Sequence, residues 1–435
     1  MTAPALLFLV LALQQPPTIT LGQTVARATA DAPALALAAL RGEAARDRER
    51  QARAGLLPGV SASALWLNRS FNRASLGVTF PTAPGQPPPP DLVGPFDNMD
   101  ARIRATQALF DGAAAARLRS ARAQTAGIDA EAAVAAEAVA HAAALAYLRA
   151  ARGTALVDAR IADSALAADL VRLAEAQVAA GVAPAIDGTR ARTQLVAARG
   201  AVIVAAAEQE RAALELGRVL SLDPGAAPVP ADTLGLELVQ SDVPRTVEAA
   251  TTLALAQRPD IDAETARRAI AQRAASAVAA ERLPRLELAL DYGVNGPTPA
   301  DLIRTGQIGL QVTLPLFDGL RRESRLAEQR VATRESDVRL RDLERQVRVD
   351  VATALLDVRA AEAQAVIAVE RLRLGEAEVR QARERFAAGV AGHIEVITAQ
   401  LGLLDARDGW INARHAAAAA RVALARAAGV ARRLR

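Results

Sequence analysis

The chain has 435 residues, 51% apolar but only 3% aromatic, with a formal charge of +4 from 52 basic and 48 acidic residues and no cysteine. Missing cysteine excludes disulfides, thiolate metal sites, a thiol nucleophile and a lipid-bearing N-terminal Cys. All the basic residues are arginine, and they alternate with Asp and Glu, as from Arg321 to Asp350, so no uncompensated basic patch points to nucleic acid.

In chain order, MTAPALLFLVLALQQPPT opens on an apolar run, Ala5 to Leu13, that is too short to span a bilayer and fits the core of a secretory signal over residues 1–17. No later stretch reaches the roughly 18 uncharged apolar residues of a membrane helix. Helix is expected from about Leu21 to Leu56, then strands at Val60–Ser70 and Met99–Phe110 on either side of a Pro-rich loop. From Gly112 to Ala180 there is no proline, which predicts one very long helix; Gly181 ends it, and a shorter helix follows from about Ile186 to Leu222. A Pro- and Gly-rich linker covers residues 221–245.

The second half repeats this order. Helix is expected from about Thr246 to Leu283, then strands in RLELALDYG and QIGLQVTLPLF, a long helix from Gly319 to Ala388, Gly389, and a helix from about Ile394 to Ala428. Phe110-Asp111-Gly112 recurs 207 residues on as Phe317-Asp318-Gly319, and Gly181 recurs 208 residues on as Gly389. Upstream, Pro33 and Pro58 recur as Pro259 and Pro284 with an offset of 226, so one loop, between the first pair of strands, carries the extra 19 residues. A duplication follows, with repeats at 18–220 and 246–435.

In the second pair of strands Leu286, Leu288, Leu290 and Tyr292 share one face, as do Ile308, Leu310, Val312, Leu314 and Leu316, while polar residues hold the other. Strands of about ten residues with one apolar and one polar face match a transmembrane barrel. Four strands cannot close a barrel and open edges cannot face lipid, so two, three or four copies must combine. The long helices, with apolar Val331, Val338, Leu343, Val347, Val351, Leu355 and Val358 spaced mostly by three, four or seven, suit coiled-coil packing. The fold class is thus mainly α with a small β part: a long antiparallel helical barrel plus four strands per chain. Gly181 and Gly389 reverse the helices and make two near-equivalent hairpin tips.

LGQTVARATADAPAL (21–35), Leu57-Pro58 and Leu283-Pro284, PLFDG (315–319) with its partner ALFDG, RFAAGVAGHIEVITAQLGLLDAR (385–407) and the DPG after the first half resemble, in order and spacing, the TolC family of outer-membrane efflux proteins. The resemblance implies a homotrimer whose twelve strands form one barrel in outer-membrane lipid and whose helices form a periplasmic tunnel. It implies an exit duct for efflux or type I secretion. The hairpin tips Gly181-Val182-Ala183 and Gly389-Val390-Ala391 would dock on a periplasmic adaptor serving an inner-membrane transporter. It further places Glu395 as an acid at the narrowed entrance, with Asp187 as its first-half counterpart and the uncharged Thr398 where a second acid often stands. Asp405 and Asp408, further along the same helix, read as solvated or Arg-paired surface.

No phosphate-binding glycine loop, metal constellation or nucleophile with a base is present, so neither an enzyme nor a cofactor is expected. His141, His393 and His415 lie far apart and read as solvated or satisfied helix residues. A soluble or periplasmic coiled-coil scaffold is the competing reading; it accounts for the helices and leaves the two-faced strands without a purpose.

Overall fold

A computed structural model describes residues 18–77, 85, 90–226, 228–235, 238–239 and 242–435. The expected secretory signal at 1–17, part of the long loop and part of the linker lie outside the described residues. The elements in chain order are β1 (Thr18–Ile19), α1 (Leu21–Asp31), α2 (Pro33–Ala54), β2 (Gly59–Asn72), β3 (Leu92–Asp111), α3 (Gly112–Ala179), α4 (Ala185–Val219), β4 (Val229–Pro230), α5 (Val247–Gln257), α6 (Pro259–Ala280), β5 (Arg285–Gly296), β6 (Ile303–Thr313), α7 (Arg321–Ala387) and α8 (His393–Ala427). Two compact units emerge, one of residues 1–41, 129–264 and 338–435 and the other of 42–128 and 265–337, so the units cut across the two halves of the sequence.

The helices expected upstream of the strands are each broken in two, at Pro33 and Pro259. Both prolines take the first helical position, where no N–H is needed, and their rings exclude the helical conformation from the residue before. Ala32 (φ −64°, ψ 131°) and Arg258 (φ −72°, ψ 120°) are extended accordingly. Upstream, α1 starts on a reciprocal cap in which the Thr20 hydroxyl accepts from the Gln23 amide and the Gln23 side chain accepts from the Thr20 amide.

In the first unit the core is built from small residues at helical spacing. Ala140, Ala143, Ala144, Tyr147 and Leu148 of α3 are fully buried beside Val347, Val351 and Leu355 of α7 and Ala418, Val422 and Ala425 of α8. By length and composition, with up to two charges allowed, α3 could cross a membrane; burying this alanine stripe against other helices is a use for its apolarity that needs no lipid. Of the heptad positions expected on α7, Val347, Val351 and Leu355 are core, Leu343 and Val358 pack against it, and Val331, in the second unit, and Val338, at the start of the first unit's part of α7, are exposed. Short parallel pairing of β1 with β4 brings the linker onto this unit, where the Asp232 carboxylate accepts from the Tyr147 hydroxyl at 2.6 Å and from the Leu21 amide at 3.3 Å.

The second unit holds one antiparallel sheet in the order β2-β3-β5-β6. The register aligns Ala62, Ile103, Tyr292 and Gly306 in one row, Val60, Ala105, Leu290 and Ile308 in the next, and Leu288 with Leu310 beyond. One face is therefore apolar across all four strands, and it is bare: Val60 is 72% exposed, Tyr292 61%, Ile308 72% and Leu310 64%. The opposite face carries Arg102 bonded to Asp100 and to Asp291 (2.9 Å), and Arg104 bonded to Asp291 (3.1 Å). Strand β6 ends at Thr313, before proline, so Leu314 and Leu316 lie outside the strand that their alternation predicts.

At Gly293 the β3 backbone comes so close that an added Cβ would overlap the Ala101 carbonyl oxygen and lie 2.6 Å from the Arg102 Cα, whereas a Cβ at Gly309 meets nothing within 4 Å. Gly293→Ala should therefore cost about 1–3 kcal/mol of sheet stability and lower the midpoint of thermal unfolding. Gly309→Ala should leave that midpoint unchanged. Equal behaviour of the two variants would contradict the register.

Candidate functional site

Each long helix ends on a glycine in the left-handed region, Gly181 at φ +67° and Gly389 at φ +70°. The closing bonds are the same at both ends. The Gly181 amide donates to the Val178 carbonyl and the Val182 amide to that of Gln177, both at 3.0 Å; Gly389 donates to Phe386 and Val390 to Arg385, again at 3.0 Å. This pattern satisfies carbonyls that the helix end leaves open, and its left-handed turning point favours a residue without a Cβ. Two further ends use the same bonds: Gly429 (φ +74°) closes α8, and Ser221 (φ +56°) closes α4. Ser221 stands 208 residues before Gly429, and a serine there gave no turn signal in the sequence.

All four helix ends at the tips belong to the first unit. The two turns touch: a Cβ on Gly389 would lie 3.5 Å from the Val182 side chain, and the Gln177 amide nitrogen donates to the Ala387 carbonyl at 3.1 Å. Behind them Leu170, Val171, Ala174, Ala191, Val379, Ala382, Phe386, Val396, Ala399 and Leu403 form a small apolar core from all four helices. Val182 and Val390 point away from it, 61% and 69% exposed.

Asp187 and Glu395 both occupy the third position of their helices, where a carboxylate is favoured by the partial positive charge of the helix start. Their surroundings differ, although the two are counterparts in the repeats. The Glu395 side chain is 44% exposed and reaches back across the turn to Arg385 at 2.9 Å. Asp187 is only 7% exposed and pairs with Arg190 at 3.4 Å. The cause is a set of exchanges between the repeats. Arg385 corresponds to Gln177, which is uncharged and bridges to the other hairpin, while Arg190 corresponds to Thr398, whose hydroxyl donates to the Ile394 carbonyl at 2.9 Å.

Asp405 and Asp408 are Arg-paired, as read from sequence. Asp405 engages Arg371, and Asp408 accepts from Arg160 of α3 at 2.6 Å, next to the contact between Arg407 and the largely buried Asp163. Among the described residues no group of three or more His, Asp or Glu could hold a metal ion. His393 does not fit the solvated or satisfied reading: it is 1% exposed, neither ring nitrogen has a hydrogen-bond partner among the described residues, and its ring lies 5.3 Å from that of Phe386. Sequence spacing offered no sign of this, because burial at the tip is created by the second hairpin.

Known proteins share this fold. Protein CyaE of Bordetella pertussis is 28% identical over 377 residues, 85% of this chain and 76% of that protein. The outer membrane protein VceC of Vibrio cholerae superposes with a TM-score of 0.77 at 21% identity, over 94% of this chain and 96% of that one. The Campylobacter jejuni CmeC outer membrane channel gives 0.78 at 17% identity, over 97% and 90%. The family described as outer membrane efflux protein matches residues 24–221 and 250–430, one segment from each repeat. The chain therefore belongs to the outer membrane efflux protein family, channels of the outer membrane with a large periplasmic helical portion.

Proposed function

We propose that three copies of this chain form a passive exit duct, in which twelve strands close one barrel in the outer membrane and the helical hairpins form a periplasmic conduit. The repeats at 18–220 and 246–435 each supply one pair of strands and one hairpin, with residues 221–245 as the linker between them. The adjacent tips dock on a periplasmic adaptor that serves an inner-membrane transporter, and no catalytic step is involved.

The observation that carries this reading is the bare apolar face running across β2, β3, β5 and β6. A soluble scaffold would have to expose this face to water, whereas lipid covers it at no cost. With β2 and β6 as edges, the remaining backbone groups are satisfied only by neighbouring copies.

The tips suit docking because apolar side chains are exposed there: Val182 and Val390, each just past its glycine, with Ile186 and Ile394 beside them. A charged side chain at Gly181 or Gly389 should abolish export while oligomers remain in the outer membrane. Val182→Glu with Val390→Glu, which adds no backbone strain, should lower export at least about tenfold, the equivalent of about 1.4 kcal/mol of lost docking. Export at the normal rate in these variants would contradict tip docking.

At the entrance, Glu395 is offset by Arg385 at 2.9 Å and Thr398 carries no charge, so cation selectivity should be weak. In planar bilayers Arg385→Gln should shift the reversal potential toward cation preference, and Glu395→Gln should shift it toward anions. Unchanged potentials in both would remove Glu395 from the conducting path.

A further inference from the structure

His393 is the first residue of α8, directly after the second tip, and its ring is buried among residues of both hairpins. Its ring centre lies 5.3 Å from that of Phe386, the two rings tilted by 54°, and Phe386 belongs to the apolar cluster joining α3, α4, α7 and α8. Its counterpart in the first repeat is Ala185, so each chain carries one such ring. A buried imidazole whose two nitrogens lack partners among the described residues is costly even when neutral, and a second proton would add a buried charge at the positive end of a helix.

The charges acting on the ring come from α4 of the other hairpin, Asp187 and Arg190, which pair with each other at 3.4 Å. On its own hairpin Glu395 is held by Arg385, and on α3 Glu175 is held by Arg192 at 2.7 Å. We propose that His393 is an acid-sensitive latch between the two hairpins of each chain, which loosens the tips when the surrounding compartment acidifies. The idea rests on the reading of the tips as the entrance and docking end of the duct, and it adds a regulation of that end.

Burial is the main influence on the imidazole and lowers its proton affinity below the ordinary value; Arg190 lowers it further, and Asp187 opposes both. A closed tip therefore holds fewer protons than an opened one. Closure is fully favoured above the ordinary histidine value of 6.5 and is lost as pH falls from there toward the depressed value. Over that range the opening constant rises by up to about tenfold per pH unit.

Hydrogen exchange on the full-length protein in detergent, corrected for intrinsic rates, reads this directly at peptides covering residues 177–187 and 386–396. Between pH 7.5 and 5.5 the wild-type tips should open up to about tenfold more, while His393→Phe, which keeps an aromatic ring beside Phe386, should change less than about twofold. His393→Gln, uncharged at both pH values, should be equally flat and serves if the Phe variant does not assemble. An unchanged wild type, an equal acid response in the variants, or stronger protection at pH 5.5 through a closing contact with Asp187 would each overturn the latch. Planar-bilayer conductance measured in parallel separates the two claims: absence of pores at every pH overturns the duct reading, while exchange still decides the latch.

Discussion

Every backbone N–H and C=O at a sheet edge must find a partner wherever water is absent, and this requirement governs the molecule. The order β2-β3-β5-β6 leaves Gly59–Asn72 and Ile303–Thr313 as edges, and the apolar face between them is unsuited to water. In lipid the sheet can persist only as part of a closed barrel. In the proposed trimer, β6 of one copy pairs with β2 of the next, and the charged face with Arg102, Arg104, Asp100 and Asp291 lines the shared lumen. A chain of this design is incomplete by itself, and its need for neighbouring copies follows from its hydrogen bonds.

The helical part is governed by a gentler rule. Alanine at core positions of α3 and α8 lets long helices approach closely, and left-handed residues at 181, 221, 389 and 429 decide where they end. Duplication reproduces these ends faithfully in backbone geometry. It does not reproduce their side chains: Gln177 stands against Arg385, Ala185 against His393, Asp187 against Glu395 and Arg190 against Thr398. Each exchange changes a contact, so one hairpin holds a buried acid paired on its own helix and the other an exposed acid paired across the turn. The tips are alike in shape and distinct in chemistry.

Much of this was legible in the chain. The long proline-free runs, the two tip glycines and the alternating residues of β5 and β6 are local signals, and each led to the right element. The breaks at Pro33 and Pro259 were legible too, but the helical pattern on either side masks them, since proline costs little at a first helical position. Ser221 gave no turn signal because serine rarely takes a positive φ, and here Leu222 and Ser221 close the helix with the same bonds that serve glycine elsewhere. The burial of Asp187 and His393 could not be read from spacing, because it depends on which side chains of one hairpin face the other.

The most direct measurement is native mass spectrometry of the protein released from detergent or from lipid discs. The account predicts three copies per particle and none in a detergent-free soluble fraction. A stable monomer in water without detergent would contradict it, because the open edges of β2 and β6 and the bare face beside them would then need neither lipid nor neighbours.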